Sequence, residues 1–124
     1  MRARSCWLVA LAALAVMACS NNNTGPSGGG TGVTVGNIFF QSNHNGTKNP
    51  AVDTIAVGGS MTWTWVNTGS TTHSVESEGP PSFKSSSIMG GNGTTYTATF
   101  PTAGTYEYQC AVHGEAMTGT IVVR

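Results

Sequence analysis

Charged residues are scarce in this chain of 124 residues. Asp, Glu, Lys and Arg together make up 8% of it, whereas soluble domains usually contain about 25%. The five Lys and Arg balance the five Asp and Glu, so the formal net charge is zero. Nothing in this balance suggests nucleic-acid binding or a strongly basic membrane-binding patch. Gly, with 17 residues, and many Thr and Ser take up the difference, which favours turns and β-structure over long charged helices.

The apolar run at the N-terminus is too short to cross a membrane. It follows Arg2 and Arg4 and extends from Trp7 to Ala18. Those twelve residues fall short of the roughly 20 that a transmembrane helix needs. A basic start, a short apolar core and a small residue at its end are typical of a secretory signal peptide. We therefore predict a signal peptide over residues 1–18.

The end of that run, "AVMAC" at residues 15–19, resembles a bacterial lipobox. The resemblance implies cleavage before Cys19 and lipidation of Cys19; Met17 is a less usual residue in such a box. The alternative is ordinary signal cleavage near Ala18 with no lipid. Each acyl methylene buried in a bilayer contributes about 0.8 kcal/mol, so several acyl chains give durable anchoring. The expected location is the bacterial cell envelope, exported and lipid-anchored, facing the periplasm or the outer surface.

A polar segment follows the predicted lipidation site. Residues 20–32 read "SNNNTGPSGGGTG" and are dominated by Gly, Asn and Ser. Such a composition buries too little apolar surface to offset the entropy of ordering. We predict that residues 19–32 comprise the lipidated cysteine and a flexible tether. A single folded domain is then expected over residues 33–124.

Cysteine is also rare, with three in the whole chain. Cys6 lies in the predicted signal peptide and Cys19 at the lipidation site, so Cys110 has no partner for an intramolecular disulfide. In an oxidising compartment most cysteines form disulfides. Cys110 is therefore buried and inert, reactive, or bound to a metal.

Apolar residues in the predicted domain recur with a period of two, which indicates β-strands. The alternating positions are Met61, Trp63 and Trp65; Tyr96, Ala98 and Phe100; Tyr106, Tyr108 and Cys110; and Met117, Gly119, Ile121 and Val123. Gly-, Asn- and Pro-containing turns separate these runs. Six to eight short strands at this spacing predict an antiparallel sandwich or barrel. We assign Trp63 and Trp65 to its core, and residues 41–51 to a surface loop.

Four side chains that suit a soft metal lie at predicted strand ends or between them. Cys110 ends one strand and Met117 opens the next, and the alternation points both side chains inward. His73 is expected to face inward and Ser74 outward on an earlier strand. His113 lies in the loop between Cys110 and Met117.

One thiolate, two imidazoles and one thioether form a specific donor set. Thiolate and thioether favour Cu(I), and imidazole binds both oxidation states of copper. Two His, one Cys and a weak axial Met form the blue-copper arrangement, which suits one-electron transfer. The other candidates are weaker: His44 is expected in solvent, and Met61 and Met89 in packing roles.

The stretch "YEYQCAVHGEAMTGTIVV" at 106–123, preceded by "HSV" at 73–75, resembles the cupredoxins, specifically the small plastocyanin- and amicyanin-type copper proteins. The resemblance covers most of residues 33–124. It implies an all-β, antiparallel Greek-key β-sandwich or barrel and one type 1 copper as cofactor. It also implies the ligands: His73, Cys110 and His113 as equatorial ligands, and Met117 as axial ligand. Electrons are then expected to pass through the exposed edge of His113.

Two residues differ from the usual family pattern. Three residues separate His113 from Met117, where the family commonly has two or four. Ser74 follows the upstream histidine, where many members carry Asn. We predict that the Ser74 hydroxyl still joins the two ligand-bearing segments by a hydrogen bond.

The predicted function is single-electron transfer between redox partner proteins at the cell envelope by a monomer that is not an enzyme. A copper carrier or storage protein is the alternative, although the sequence has no Met- and His-rich tract. Copper enzymes need further copper centres with additional histidines, and the whole chain contains three. Zinc binding and a purely adhesive sandwich are lesser alternatives. The partners expected are redox proteins and, through the lipid, a membrane; nucleic acid is not among them.

Overall fold

The computed structural model describes residues 32–124. The predicted signal peptide, Cys19 and the tether up to residue 31 lie outside the described residues. Eight strands follow one another along the chain: β1 (Val33–Gly36), β2 (Phe39–Ser42), β3 (Ala51–Ile55), β4 (Ser60–Trp65), β5 (Glu76–Glu78), β6 (Thr95–Thr99), β7 (Gly104–Cys110) and β8 (Gly114–Val123). Within residues 32–124, no helix is long and apolar enough to span a bilayer.

The strands form two four-stranded sheets, which confirms the all-β sandwich. One sheet has the order β2-β1-β4-β6 and the other β3-β8-β7-β5. Each sheet contains one parallel pair, β1 with β4 and β3 with β8, so the sheets are mixed and not wholly antiparallel as predicted. The reason lies in the connections. Between the members of each parallel pair the chain crosses to the other sheet and then returns running in the same direction.

The core lies between the sheets and receives side chains from both. The alternation predicted for β4, β7 and β8 is confirmed, because every second residue is buried in β4, in β7 and in β8 from Met117 onward. Trp63 and Trp65 are fully buried, as expected for core residues. The ring of Trp63 meets the ring of Tyr108 edge-on across the sandwich at 5.3 Å. Burying aromatic rings on these inner faces stabilises the sandwich by excluding apolar surface from water.

The predicted surface loop 41–51 is shorter in the structure. Gln41 and Ser42 belong to β2, and Ala51 begins β3. Ser42 is buried because its hydroxyl donates to Oδ1 of Asp53 at 2.6 Å, inside the sandwich. The same hydroxyl oxygen accepts hydrogen bonds from the backbone amides of His44 and Asn45. A polar residue can end a buried strand when its hydroxyl is fully used in this way.

Candidate metal centre

A hairpin between β7 and β8 carries two of the four predicted ligands. Cys110 is the last residue of β7, residues 111–113 form the turn, and β8 begins at Gly114. Gly114 pairs with Cys110 and has a φ of 56°, a left-handed conformation that glycine adopts at little cost. This turn places His113 one residue before the second strand. The thiol and the imidazole therefore lie on a short, hydrogen-bonded support.

The register of this hairpin accommodates the unusual three-residue spacing between His113 and Met117. Gln109 pairs with Thr118, but Cys110 pairs with Gly114, so residues 115–117 form an insertion in β8. Such an irregularity bends a strand and redirects side chains. In an uninterrupted ladder, Met117 would lie opposite Cys110. Met117 is fully buried, and it lies within β8 and not at its first residue as predicted.

His73 comes from a part of the chain well before the β7–β8 hairpin. It follows β4 and precedes β5, outside the named strands, and forms an isolated bridge with Met89. Its side chain is fully buried, as the predicted inward orientation requires. The fold thus brings together residues that are 37 and 40 positions apart.

Donor atoms of His73, Cys110 and His113 lie close together. Nδ1 of His73 lies 3.2 Å from Nδ1 of His113. The Cys110 sulfur lies 3.9 Å from Nδ1 of His73 and 3.5 Å from Nδ1 of His113. Trigonal coordination with bonds of about 2.05 Å to nitrogen and 2.3 Å to sulfur separates the donors by about 3.6 to 3.8 Å. The observed spacings lie within about 0.4 Å of these separations, which is consistent with one metal ion held between the three atoms.

The chemistry of the donors selects the metal. A thiolate with two imidazoles suits copper in both oxidation states, and a type 1 site adds a weak axial thioether to them. His73, Cys110 and His113 form the cluster, and Met117 is buried in the adjoining strand. This set is consistent with one type 1 copper. The axial role of Met117 stays a prediction.

Burial shapes the electrostatics of the site. Desolvation lowers the pKa of His73, and the neighbouring charge of His113 lowers it further. Both effects favour the neutral imidazole, which is the form that binds a metal. His113 is only half-buried. One ligand histidine is therefore enclosed and the other is partly accessible from solvent.

Ser74 connects the two ligand-bearing segments. Its hydroxyl oxygen accepts a hydrogen bond from the backbone amide of Ala111 at 2.9 Å, which confirms the predicted connection. Its own amide donates to the Cys110 sulfur at 3.5 Å. The prediction that Ser74 faces outward is wrong: the residue is buried because both of its polar groups bond to the ligand hairpin. Hydrogen bonds to a ligating sulfur orient it and tune the metal.

The surface near the cluster contains apolar side chains. Val112 precedes His113 and is 48% exposed. Ile88 precedes Met89, the bridge partner of His73, and is 58% exposed. Both side chains therefore present apolar surface on the segments that carry His113 and the bridge partner of His73.

The remaining candidates lie away from the cluster or serve packing. His44 is exposed in the loop after β2, in agreement with its predicted solvation. Met61 is buried in the core, and Met89 is partly buried and packs against the core. Both therefore have the packing roles that were predicted. The backbone bridge between Met89 and His73 has no signature in the sequence, since a contact over 16 positions leaves no local pattern.

Comparison with known proteins places this site in a family. The cupredoxin-like domain family matches residues 8–123. Among solved structures, a purple cupredoxin from Nitrosopumilus maritimus is 22% identical, with a TM-score of 0.59 over 77% of this chain and 100% of its own. An oxidized proline-to-glycine mutant of amicyanin is 23% identical, with a TM-score of 0.60 over 82% of this chain and 88% of its own. At this identity the structural likeness concerns the fold, and it agrees with the family match. The chain therefore belongs to the cupredoxin-like domain family.

Proposed function

We propose that this protein carries single electrons between redox partner proteins at the cell envelope. The observation that supports it most directly is the convergence of His73, Cys110 and His113, whose donor atoms all lie within 4.8 Å of one another. Copper bound there would supply one-electron chemistry by alternating between Cu(I) and Cu(II). The residues of the chain hold the donors in place, exclude water and provide a path to the surface.

The rigidity of the donors suits fast electron transfer. Cys110 is fixed at the end of a strand, His73 by its bridge to Met89, and both by the hydrogen bonds of Ser74. Donors that do not move when the oxidation state changes keep the reorganisation small, because little has to be rearranged around the metal. His113, the half-buried ligand, is the one through which electrons enter and leave.

Burial of the ligands favours electron transfer over copper delivery. Cys110 and His73 are 0% exposed, so a copper acceptor has no direct access to their donor atoms. Delivery to another protein proceeds by exchange of ligands and needs an accessible, labile site. A carrier or storage role is the alternative, and copper exchange distinguishes the two. Loss of copper to a chelator within minutes would favour delivery; retention for hours supports the electron carrier.

Visible absorption and EPR of the copper-loaded protein test the proposal. We expect a strong thiolate-to-Cu(II) charge-transfer band and its loss in Cys110→Ala. An unchanged band in that variant, or none in the native protein, contradicts the proposal. His44→Ala serves as the matched control, because His44 is exposed and outside the cluster. It should leave the spectrum unchanged.

The envelope location and membrane anchor are part of the proposal and depend on the "AVMAC" stretch at 15–19. Lipidation at Cys19 would hold the domain at the membrane through residues 20–32, near membrane-bound redox partners. Intact-mass measurement of membrane-extracted protein tests this. The expected mass is that of a chain beginning at Cys19 with acyl chains attached. A mature mass without acyl chains would refute the anchor and leave the copper site untouched.

A further inference from the structure

The backbone groups of His73 are hydrogen-bonded to a residue that belongs to neither sheet's named strands. Its amide donates to the carbonyl of Met89 at 2.8 Å, and its carbonyl accepts from the amide of Met89 at 2.8 Å. Met89 is the last residue of a stretch, residues 83–89, that runs beside residues 73–77. We call residues 83–89 the flanking segment. This segment takes the place of a neighbouring strand for the part of the chain that carries the histidine ligand.

Ser86 is the residue of the flanking segment that is bonded to Val75. Its amide donates to the carbonyl of Val75 at 2.8 Å, and its hydroxyl oxygen accepts from the amide of Val75 at 2.8 Å. The same hydroxyl donates to the carbonyl of Ser87 at 2.8 Å, which fixes its orientation. One residue thus satisfies both backbone groups of Val75. A side-chain hydroxyl here does what a strand carbonyl does in a regular ladder.

The flanking segment is itself anchored to both sheets. The Phe83 ring stacks on Trp63 of β4 with centroids 5.8 Å apart and an angle of 9°. The amide of Phe83 donates to the hydroxyl of Ser77 in β5 at 3.1 Å, and the hydroxyl of Tyr96 in β6 donates to the carbonyl of Lys84. Because of these attachments, the segment is a fixed support that can position Val75 and His73.

We propose that Ser86 is a positioning residue for the metal centre, acting on the His73 imidazole through the backbone of Val75. The inference rests on the proposed copper function. Val75 is two residues from His73 in the chain, and both side chains are fully buried. Metal sites need their donors fixed within about 0.5 Å. A shift of the Val75 backbone displaces His73 relative to Cys110 and His113, which belong to a separate hairpin.

The variant that isolates this hydroxyl is Ser86→Ala. It removes the acceptor for the Val75 amide and leaves the Ser86 amide in place. We expect copper(II) affinity to fall about tenfold, the lower end of the range for residues behind a ligand, with a change in the copper hyperfine splitting. In the metal-free protein we expect faster hydrogen exchange at the Val75 amide. Ser86→Thr retains the hydroxyl and should restore both properties.

Ser85→Ala is the matched control. The Ser85 hydroxyl accepts from the amide of Ser77 at 2.9 Å, so this variant loses the same kind of bond four residues from His73. It should lower the free energy of unfolding by a similar amount, about 1 kcal/mol, and leave copper affinity and hyperfine splitting unchanged. Equal effects of the two variants on copper would mean that Ser86 contributes only stability and would overturn the inference.

The hydrogen-exchange measurement does not depend on copper. If Ser86→Ala exchanges the Val75 amide at the native rate, the inference fails even when the copper function stands. If the native protein binds no copper, the proposed function fails, and the positioning role falls with it. If Ser86→Ala does not fold, Ser86→Thr decides: native affinity and native exchange support the inference, and a tenfold loss of affinity with the hydroxyl retained overturns it.

Discussion

The backbone amide of Ala111 donates a hydrogen bond of 2.9 Å to the hydroxyl oxygen of Ser74. This bond joins the segment that carries His73 to the hairpin that carries Cys110 and His113. The amide of Ser74 adds a second connection through the Cys110 sulfur. Two hydrogen bonds from one residue thus connect the two parts of the candidate metal centre.

Ser74→Ala should uncouple these halves. The variant leaves the Ala111 amide without its acceptor, and we expect the metal-free protein to lose about 1 kcal/mol of unfolding free energy. The copper-loaded variant should also have a shifted charge-transfer band. Chemical denaturation and visible spectroscopy measure the two effects. Ser74→Thr keeps the hydroxyl and should behave as the native protein; an equal loss in both variants would show that packing, and not the hydrogen bond, is responsible.

Met117→Leu tests the axial role of Met117. The two side chains have similar volumes, so unfolding free energy of the metal-free protein should change by less than about 1.5 kcal/mol. Loss of the thioether should raise the reduction potential, because the axial ligand tunes it. Voltammetry measures this potential. Met61→Leu, a buried change in β4, is the control and should leave the potential unaltered; an unaltered potential in Met117→Leu would exclude an axial thioether.

Acid should destabilise the metal-free protein through His73. Its pKa in the folded state is lowered from the ordinary value of 6.5, so the unfolded chain binds more protons below that pH. Stability is therefore complete above about pH 6.5 and falls as the pH drops toward the folded pKa. Asp53 has the opposite influence, because burial raises its pKa in the folded state. Protonation of its carboxyl group at lower pH therefore favours the folded protein over the unfolded chain.

The difference between native protein and His73→Gln separates these contributions. Urea denaturation at several pH values between about 7.5 and 5, the range that brackets the ordinary histidine pKa, should show a steeper acid loss in the native protein than in the variant. Parallel curves would contradict the assigned role of His73. Asp53→Asn should remove the opposing effect, so that the unfolding free energy of this variant falls more steeply with decreasing pH than that of the native protein.

Gly119→Ala should weaken the contact between β7 and β8. A Cβ at this position would overlap the Tyr108 ring, which packs directly over Gly119. Overpacking of this kind costs about 1–3 kcal/mol, because the ring is fully buried and has little room to move. Thermal or chemical unfolding measures the loss. In a double-mutant cycle with Tyr108→Leu, the two changes should be strongly non-additive; additive effects would indicate that the ring does not limit the space.

Much of the architecture follows from local patterns. Period-two alternation predicted the buried faces of β4, β7 and β8, because successive residues of a strand point to opposite sides wherever the strand lies. The spacing of Cys110, His113 and Met117 predicted a hairpin that carries soft donors. This was also readable from the sequence, because the turn and its candidate ligands lie within eight residues of one another. The direction of β1 relative to β4, and the mixed character of both sheets, depend on how the chain crosses the sandwich, and no local pattern records that.

The sequence by itself determined which side chains are available as donors and that they belong to strands and turns. Only the tertiary structure decided that the imidazole of His73 lies beside the Cys110 sulfur, that Ser74 is buried and bonded to the Cys110 hairpin, and that Met89 pairs with His73. The physical reason is sequence distance. Alternation and turn chemistry act over a few residues, whereas a metal centre built from residues 37 positions apart exists only once two packed sheets bring them together.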